Sequence, residues 1–434
     1  VSNVNAPVST IGRQPAISLH ALGVICGLAA GVWLGTAEAP TKLVMTGISP
    51  FVITLGMVSG VFVARWTVPV LMKGSGFVLR DLSEKPHLIV WALLAGMLWV
   101  VANTLTVFAI RDVGLSIAFP LWNTNSLAGL FWGWLLFNEL RGSGAKSWAK
   151  VFGGAAALVI GATILAYATT HTTADASGRA LTGVLAALGA GALWGTQYIP
   201  YRKAYISGAN PLSFVTVIAV GELLTTLVLG IVFCGGIRPL VHGLAAARTV
   251  LFWLFLGGIC WVFGDLFQQY AAKYIGIGRG IPLSNTNQLW GLAWGALVFG
   301  ELAGAGVFAK GLVIAGSVVM IAGAAAISTS TAPVSEMKSW RQAMLRECNR
   351  YGMDPEQVAA AAQGDGPHAR QTHRRRWWEM LFVMAALTGL VWLGVIAQRP
   401  SIAASTHWMV ALVLAALICL VAGGALLWRR TRFS

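Results

Sequence analysis

Twelve apolar runs, each near the roughly 20 residues that span a hydrocarbon core, decide what this chain can become. They fall at about 17–37, 48–69, 88–110, 114–137 and 148–168, then 181–199, 211–234, 250–272, 276–299 and 306–327, and finally 378–397 and 407–428. Lipid offers backbone groups no hydrogen-bond partner, so runs of this kind should be helices. With 57% hydrophobic and 10% charged residues over 434 positions, little is left for a water-facing domain. The expected fold is an all-α polytopic membrane protein.

The runs are not independent. Pro120–Leu140 reads PLWNTNSLAGLFWGWLLFNEL and Pro282–Leu302 reads PLSNTNQLWGLAWGALVFGEL, identical at 14 of 21 positions at a constant offset of 162. Gly35, Thr36 and Pro40 match Gly195, Thr196 and Pro200; Lys42 matches Arg202; Pro50 matches Pro211; Gly96 and Trp99 match Gly258 and Trp261; Asn103 matches Asp265. The similarity covers about 23–141 and 183–303, which is a duplication rather than a chance motif. Five runs per copy is an odd number, so the second copy should enter the membrane from the opposite side. The expected organisation is a cytoplasmic segment (1–16), a first five-helix repeat (17–168), a second, inverted one (169–328), a polar linker (329–376), and an accessory hairpin with a basic tail (377–434). Within the linker, about 336–350 and 354–363 should form short surface helices, the second with Asp354 as N-cap before Pro355.

The net charge of +15 raises the question of nucleic acid, but no folded basic module interleaved with aromatics is present, and that partner is not expected. The positive-inside rule accounts for the charge better. With the N-terminus inside, the inner loops take Arg65, Lys73, Arg80, Lys85, Arg141, Lys146, Lys150, Arg202, Lys203, Lys273 and Arg279. The outer loops take Lys42, Arg111, Arg179, Arg238, Arg248 and Lys310. Arg374–Arg376 and Arg429–Arg430 would also lie inside, giving a multi-pass protein of the cytoplasmic membrane with both termini cytoplasmic. The five cysteines form no CxxC pair and suit neither a disulfide framework nor a zinc site. The first run continues past signal-peptide length without a cleavage motif, so it should remain as the first span.

Matched polar, proline-interrupted segments in two halves point to a transporter's binding site. Asn123, Asn125, Asn285 and Asn287 each bring amide donors and an acceptor to membrane depth. The amides can serve a polyhydroxylated ligand, or pair with one another as glue between helices. Trp33 and Trp194, each just before a Gly–Thr step, could stack on sugar rings or belong to an interfacial aromatic belt. Gln197 adds a hydrogen-bonding group. Intramembrane carboxyls are costly and functional by default. Asp265 is the sharpest, opposite the neutral Asn103 in the other copy, and is a candidate proton site; the competing reading pairs it with Lys273 or a glutamine. Glu222 also sits at membrane depth, while Glu139 and Glu301 should cap helix ends facing water. Gly27, Gly31, Gly35, Gly191 and Gly195 at four-residue spacing signal close helix packing. There is no HExxH, GxSxG or P-loop, so neither an enzyme nor ATP-driven transport by this chain is expected, and no cofactor or metal is called for.

The PxxNxN…G…G…FxE pattern closing each five-run copy resembles the drug/metabolite transporter superfamily. Leu193–Lys203, reading LWGTQYIPYRK, is similar to the element of the glucose/ribose porter branch, itself similar to the rhamnose–proton symporters. The resemblance covers about 17–328 and implies secondary transport of a sugar or similar polar metabolite, driven by a proton gradient, through a central cavity. The chain departs from that pattern after Ser328, where two further runs follow that could pack on the bundle or on a second copy of the chain. An amine, drug or amino-acid exporter of the same fold, and a non-transporting membrane scaffold or sensor, are the alternatives.

Overall fold

The computed structural model describes residues 17–42, 48–113, 118, 121–169, 180–300, 302–304, 306–330, 334–364, 375–398 and 404–433. Residues 1–16, Pro120, Arg179, Glu301 and Arg374, invoked above, lie outside the described residues. Among the described residues there is no strand. Nine helices there are long and apolar enough to cross a membrane, which fits a multi-pass membrane protein. They are α1 (Leu19–Lys42), α2 (Pro50–Lys73), α4 (His87–Val113), α6 (Ala145–Thr169), α8 (Pro211–Phe233), α10 (Leu251–Ile275), α13 (Val307–Ser328), α16 (Trp377–Ile396) and α17 (Thr406–Thr431).

Three of the twelve expected spans take another form. Helix α7 (Ala180–Ile206) is long but carries Gln197, Arg202 and Lys203 in its second half. The two Asn-Thr-Asn runs are broken rather than continuous. The second is split into α11 (Ile277–Ser284) and α12 (Asn287–Ala293), followed by a π-helical turn at Trp294–Val298. At the break the backbone tightens: Asn285 N donates to Pro282 O and Thr286 N to Leu283 O, at 3.1 and 3.3 Å. Proline cannot donate and crowds the preceding turn, which is why the helix gives way here. The first copy does the same, with Thr124 N donating to Leu121 O at 3.3 Å before α5 (Asn125–Phe137) begins.

Helix starts follow local chemistry. Pro50 and Pro211 occupy the first turn of α2 and α8, where a missing N–H costs nothing. Asn210 caps α8 by accepting from Leu212 N at 2.9 Å. Two short helices not expected from the sequence, α3 (Ser75–Glu84) and α9 (Ile237–Ala246), follow α2 and α8 respectively. In the linker, α14 (Val334–Tyr351) and α15 (Pro355–Ala362) form, and Asp354 caps α15 by accepting from Glu356 N at 2.9 Å.

Packing partners come in exchanged pairs. Helix α1 lies along α10, and α4 along α7; α2 packs on α10, and α4 on α8; α12 packs on α1, and α5 on α7; α2 meets α8, and α6 meets α13. Glycines set the closest approaches. A Cβ added at Gly96 would lie 2.4 Å from Ile218 O, and one at Gly258 would lie 2.2 Å from Met57 O. Only a residue without a side chain lets these backbones touch, as expected where lipid removes the hydrophobic drive to associate. Helix α16 packs on α2 and α10, and α17 on α1 and the π-helical turn, so both accessory helices dock on the bundle while keeping most of their surface exposed.

Candidate functional site

Between these helices lies a cavity of about 150 Å³. Seven residues singled out from the sequence line it: Asn123, Asn125, Asn285, Asn287, Trp194, Gln197 and Asp265. Trp33 does not. It is buried in the core with its ring edge-on to Phe263 at 4.9 Å. Helices α1 and α7 press directly on the Asn-Thr-Asn turns: a Cβ at Gly35 would lie 2.5 Å from Asn287 O, and one at Gly195 would lie 2.9 Å from Asn125 O. The glycine stripes thus fix where the amides sit.

The amides divide between the two roles open to them. Asn285 Nδ2 donates to Asn125 Oδ1 at 3.1 Å and to Asn123 O at 3.2 Å, tying the two copies of the motif together. Asn123 Nδ2, Asn287 Oδ1 and Asn103 Nδ2 are buried and have no hydrogen-bond partner among the described residues. Buried polar atoms in this state cost free energy unless something else meets them. The walls are indoles: Trp99 against Trp261 at 4.7 Å, and Trp122 against Trp194 at 6.1 Å, both edge to face. Trp194 is therefore a wall residue rather than part of an interfacial belt. Asp265 is the one charged side chain on the described lining.

At Asp265 the cavity meets a buried ionic network. Arg65 Nη2 donates to Asp265 Oδ2 at 2.7 Å and Arg65 Nη1 to Glu222 Oε1 at 2.8 Å. Arg65 and Glu222 are 0% exposed and Asp265 is 1% exposed, so water does not share the load. Gln269 Nε2 donates to the same Asp265 oxygen at 2.6 Å, and Gln197 Nε2 donates to Tyr201 Oη at 2.6 Å. The guanidinium also faces the Trp261 ring at 5.1 Å. This corrects two expectations. Arg65 is no inner-loop charge; it lies within α2. Asp265 pairs with Arg65 and, as the glutamine alternative had it, with Gln269, but not with Lys273, whose ammonium lies over Tyr274.

Beyond the network, towards the ends of α5, α7 and α10, a second tier of charge pairs closes the molecule. Glu139 is buried rather than facing water. It caps α11, accepting from Ile277 N at 3.1 Å and Gly278 N at 2.8 Å, and pairs with Arg202 at 3.2 Å. Arg279 donates two bonds to Glu336 of α14, at 2.8 and 2.9 Å, and Leu140 N donates a third at 2.9 Å. Burial alone would raise the Glu336 pKa, but the Arg279 bonds and charge hold it below the ordinary carboxylate value. Lys203 pairs with Glu347, and Ile206, Met344, Cys348 and Val358 close over one another. Lys73, Arg202, Lys273 and Arg279, counted above as loop charges, are all buried. The cavity lining instead reaches Ile53 and Ile110, near the start of α2 and the end of α4, at the opposite end of the bundle.

No family model and no curated protein matches the chain. A solved structure described only as "Crystal structure of protein" aligns over 68% of this chain and 95% of its own at 13% identity, with a TM-score of 0.44, a likeness too slight to carry an argument.

Proposed function

We propose that the chain is a secondary-active membrane transporter of a sugar or similar neutral polar metabolite, coupled to protons at Asp265 and working by alternating access. The observation that carries this reading is the convergence on one buried cavity of both Asn-Thr-Asn motifs and the lone lining carboxylate. Unpartnered amide groups between indole faces suit a ligand that offers hydroxyls at its edge and C–H groups on its face. The described lining carries no lysine or arginine, which disfavours an anionic substrate.

The packing supports a 5+5 inverted repeat of the drug/metabolite transporter type. Shifting residue numbers by 160–162 turns α1 into α7, α2 into α8, α4 into α10, α5 into α12 and α6 into α13. Each packing pair then becomes another observed pair or itself. Such a relation is expected of two equivalent bundles meeting around a midplane site. Arg65 belongs to the first copy, Glu222 and Asp265 to the second, so the network pins the two together on one side of the cavity. A proton taken from water onto an Asp265 carboxylate oxygen would remove the charge that holds Arg65 Nη2. It would leave Arg65 on Glu222 alone and loosen the junction between α2 and α10.

Reconstituted uptake of a labelled sugar and polyol panel, with and without a pH gradient, tests this. Asp265→Asn should abolish substrate-driven proton movement while substrate binding survives; unchanged proton movement removes the coupling role. The four indoles beside a single carboxylate favour an amine as the second reading, since aromatic faces attract cations. Counterflow competed by amines and not by sugars would establish it.

A further inference from the structure

Helices α14 and α15 have no counterpart in either copy of the repeat, yet they lie across the end of the bundle opposite Ile53 and Ile110. Helix α14 turns two carboxylates inward, and both meet cations of the second copy. Glu336 takes two bonds from Arg279 of α11, at 2.8 and 2.9 Å, and Glu347 pairs with Lys203 of α7. The same helix also holds the first copy. Leu140 N donates to Glu336 Oε2 at 2.9 Å, and Ser335 Oγ donates to Arg141 O at 2.9 Å. Tyr351, at the far end of α14, stacks on His87, the first residue of α4, at 3.7 Å. Met344, Cys348 and Val358 close over Ile206, where α7 ends. Val358 also presses on the turn that follows: a Cβ added at Gly208 would lie 3.1 Å from Val358 Cγ1. The outward side of α14 is bare. Lys338, Arg341, Gln342 and Arg346 are exposed, so no described element covers the helix or stands in the way of its lifting.

We propose that α14 and α15 form an autoinhibitory strap, which holds this end of the bundle shut and lifts when the bundle opens there. Directional bonds made to both copies cannot all survive a rocking of one copy against the other. A displacement of about 1 Å already takes such a bond beyond useful length. The strap therefore opposes the one state in which this end is open. Its grip is ionic and apolar at once: lifting takes the carboxylates from Arg279 and Lys203 and uncovers Ile206. Charge-assisted bonds of this kind are the strong ones. Along α7, Tyr201 Oη donates to Asp265 Oδ1 at 3.5 Å, Ile206 lies under the strap, and Ala204 is buried between the two. The ionic network and the strap thus hold the same end from two sides. What the strap does to transport rests on the transporter reading; that it closes this end does not.

The test needs no substrate. It follows the labelling of single cysteines by a small charged thiol reagent, in the full-length chain with its own five cysteines replaced by alanine. Ala204→Cys reports opening beneath the strap. Ala162→Cys, buried between α6 and α13, reports unfolding. Ile53→Cys, on the cavity lining, reports the opposite end. Two variants release the strap by different means: Glu336→Gln/Glu347→Gln removes its ionic anchors, and Met344→Ser/Val358→Ser its apolar one. Each should speed labelling at Ala204→Cys by roughly ten-fold or more, from the bonds or packing lost, with Ala162→Cys unchanged. Unaltered labelling at Ala204→Cys in both variants, or an equal rise at Ala162→Cys, would overturn the strap. Ile53→Cys separates the strap from the transporter reading. A rise at Ala204→Cys matched by a fall at Ile53→Cys supports both; the same rise with no fall leaves the strap standing and removes alternating access.

Discussion

Replacing Arg65 by Met tests the central network most directly. The guanidinium is fully buried and holds one carboxylate on each side, at 2.8 Å to Glu222 and 2.7 Å to Asp265. Removing it leaves two acidic groups facing one another with neither water nor a counter-ion. Deleting one partner of a buried pair costs about 3–5 kcal/mol, because the remaining charge is stranded. Replacing the whole network by neutral groups is far cheaper, since the desolvation penalty disappears with the charges. Arg65→Met/Glu222→Gln/Asp265→Asn should therefore recover most of what Arg65→Met loses. This non-additivity is the mark of groups acting as a unit. A thiol-reactive dye gives the assay once the partly exposed Cys234, Cys260 and Cys419 are replaced by serine, leaving the buried Cys26 and Cys348 to report unfolding. Arg111→Met is the control: its pair with Asp112 is half exposed, and such pairs contribute under about 1 kcal/mol. If Arg65→Met melts no lower than Arg111→Met, or the triple variant melts lower than Arg65→Met, the three groups do not act as one unit.

The other predictions concern separate parts of the molecule. Asn123→Ala and Asn287→Ala should each weaken apparent substrate affinity by roughly tenfold, the value of one hydrogen bond of about 1–1.5 kcal/mol; Trp33→Phe, away from the cavity, should leave uptake affinity unchanged. Glu336→Gln should destabilise the protein at neutral pH. Because the folded Glu336 pKa lies below the ordinary 4.5, its contribution is fully present above that value and fades as pH falls through the depressed folded one. Melting curves of parent and variant should thus converge on acidification. Gly96→Leu should destabilise by about 3 kcal/mol through overpacking against Ile218 O, while Gly153→Ala, with open space around it, should be neutral in the same melt.

Much of this architecture is legible in the sequence, for reasons that can be named. Span-length apolar runs leave the backbone no option but helix, and the repeat shows which runs correspond. The Asn-Thr-Asn segments were visible as special because polar residues after a proline conflict with a continuous span; only the extent of the break was hidden. Trp33 misleads because an indole after glycines looks the same whether it faces a cavity or Phe263. That choice is made by helix rotation, which every face of an apolar helix leaves open. Arg65 misleads because it lies only about two turns before α2 ends at Lys73. A signal was available: Arg65, Glu222 and Asp265 are all buried in apolar runs, and a bilayer interior demands that such charges find one another. Lys73, Lys203, Arg202 and Arg279 look like loop charges because nothing local shows that α14 and the chain end fold back over them.

The departures from the repeat carry the most information about direction. At the repeat offset of 161–162, Arg65 corresponds to Thr226, Glu222 to Val61 and Asp265 to Asn103. Every member of the network is thus neutral in its counterpart. Two equivalent bundles alone would open with equal ease to either side. Charges placed in only one of each matched pair, all on one side of the cavity, make the two openings energetically different. Helix α14, which has no counterpart in either copy, adds the Arg279–Glu336 pair at the same end. On the transporter reading, the ground state is set by that asymmetry, and neutralising it should equalise the two openings. Cysteine labelling at Ile53 and at Ile206, on opposite ends of the bundle, measures this. In the triple neutral variant the label should gain access at Ile206 at the expense of Ile53, and an unchanged ratio would mean that packing, not charge, decides which end is closed.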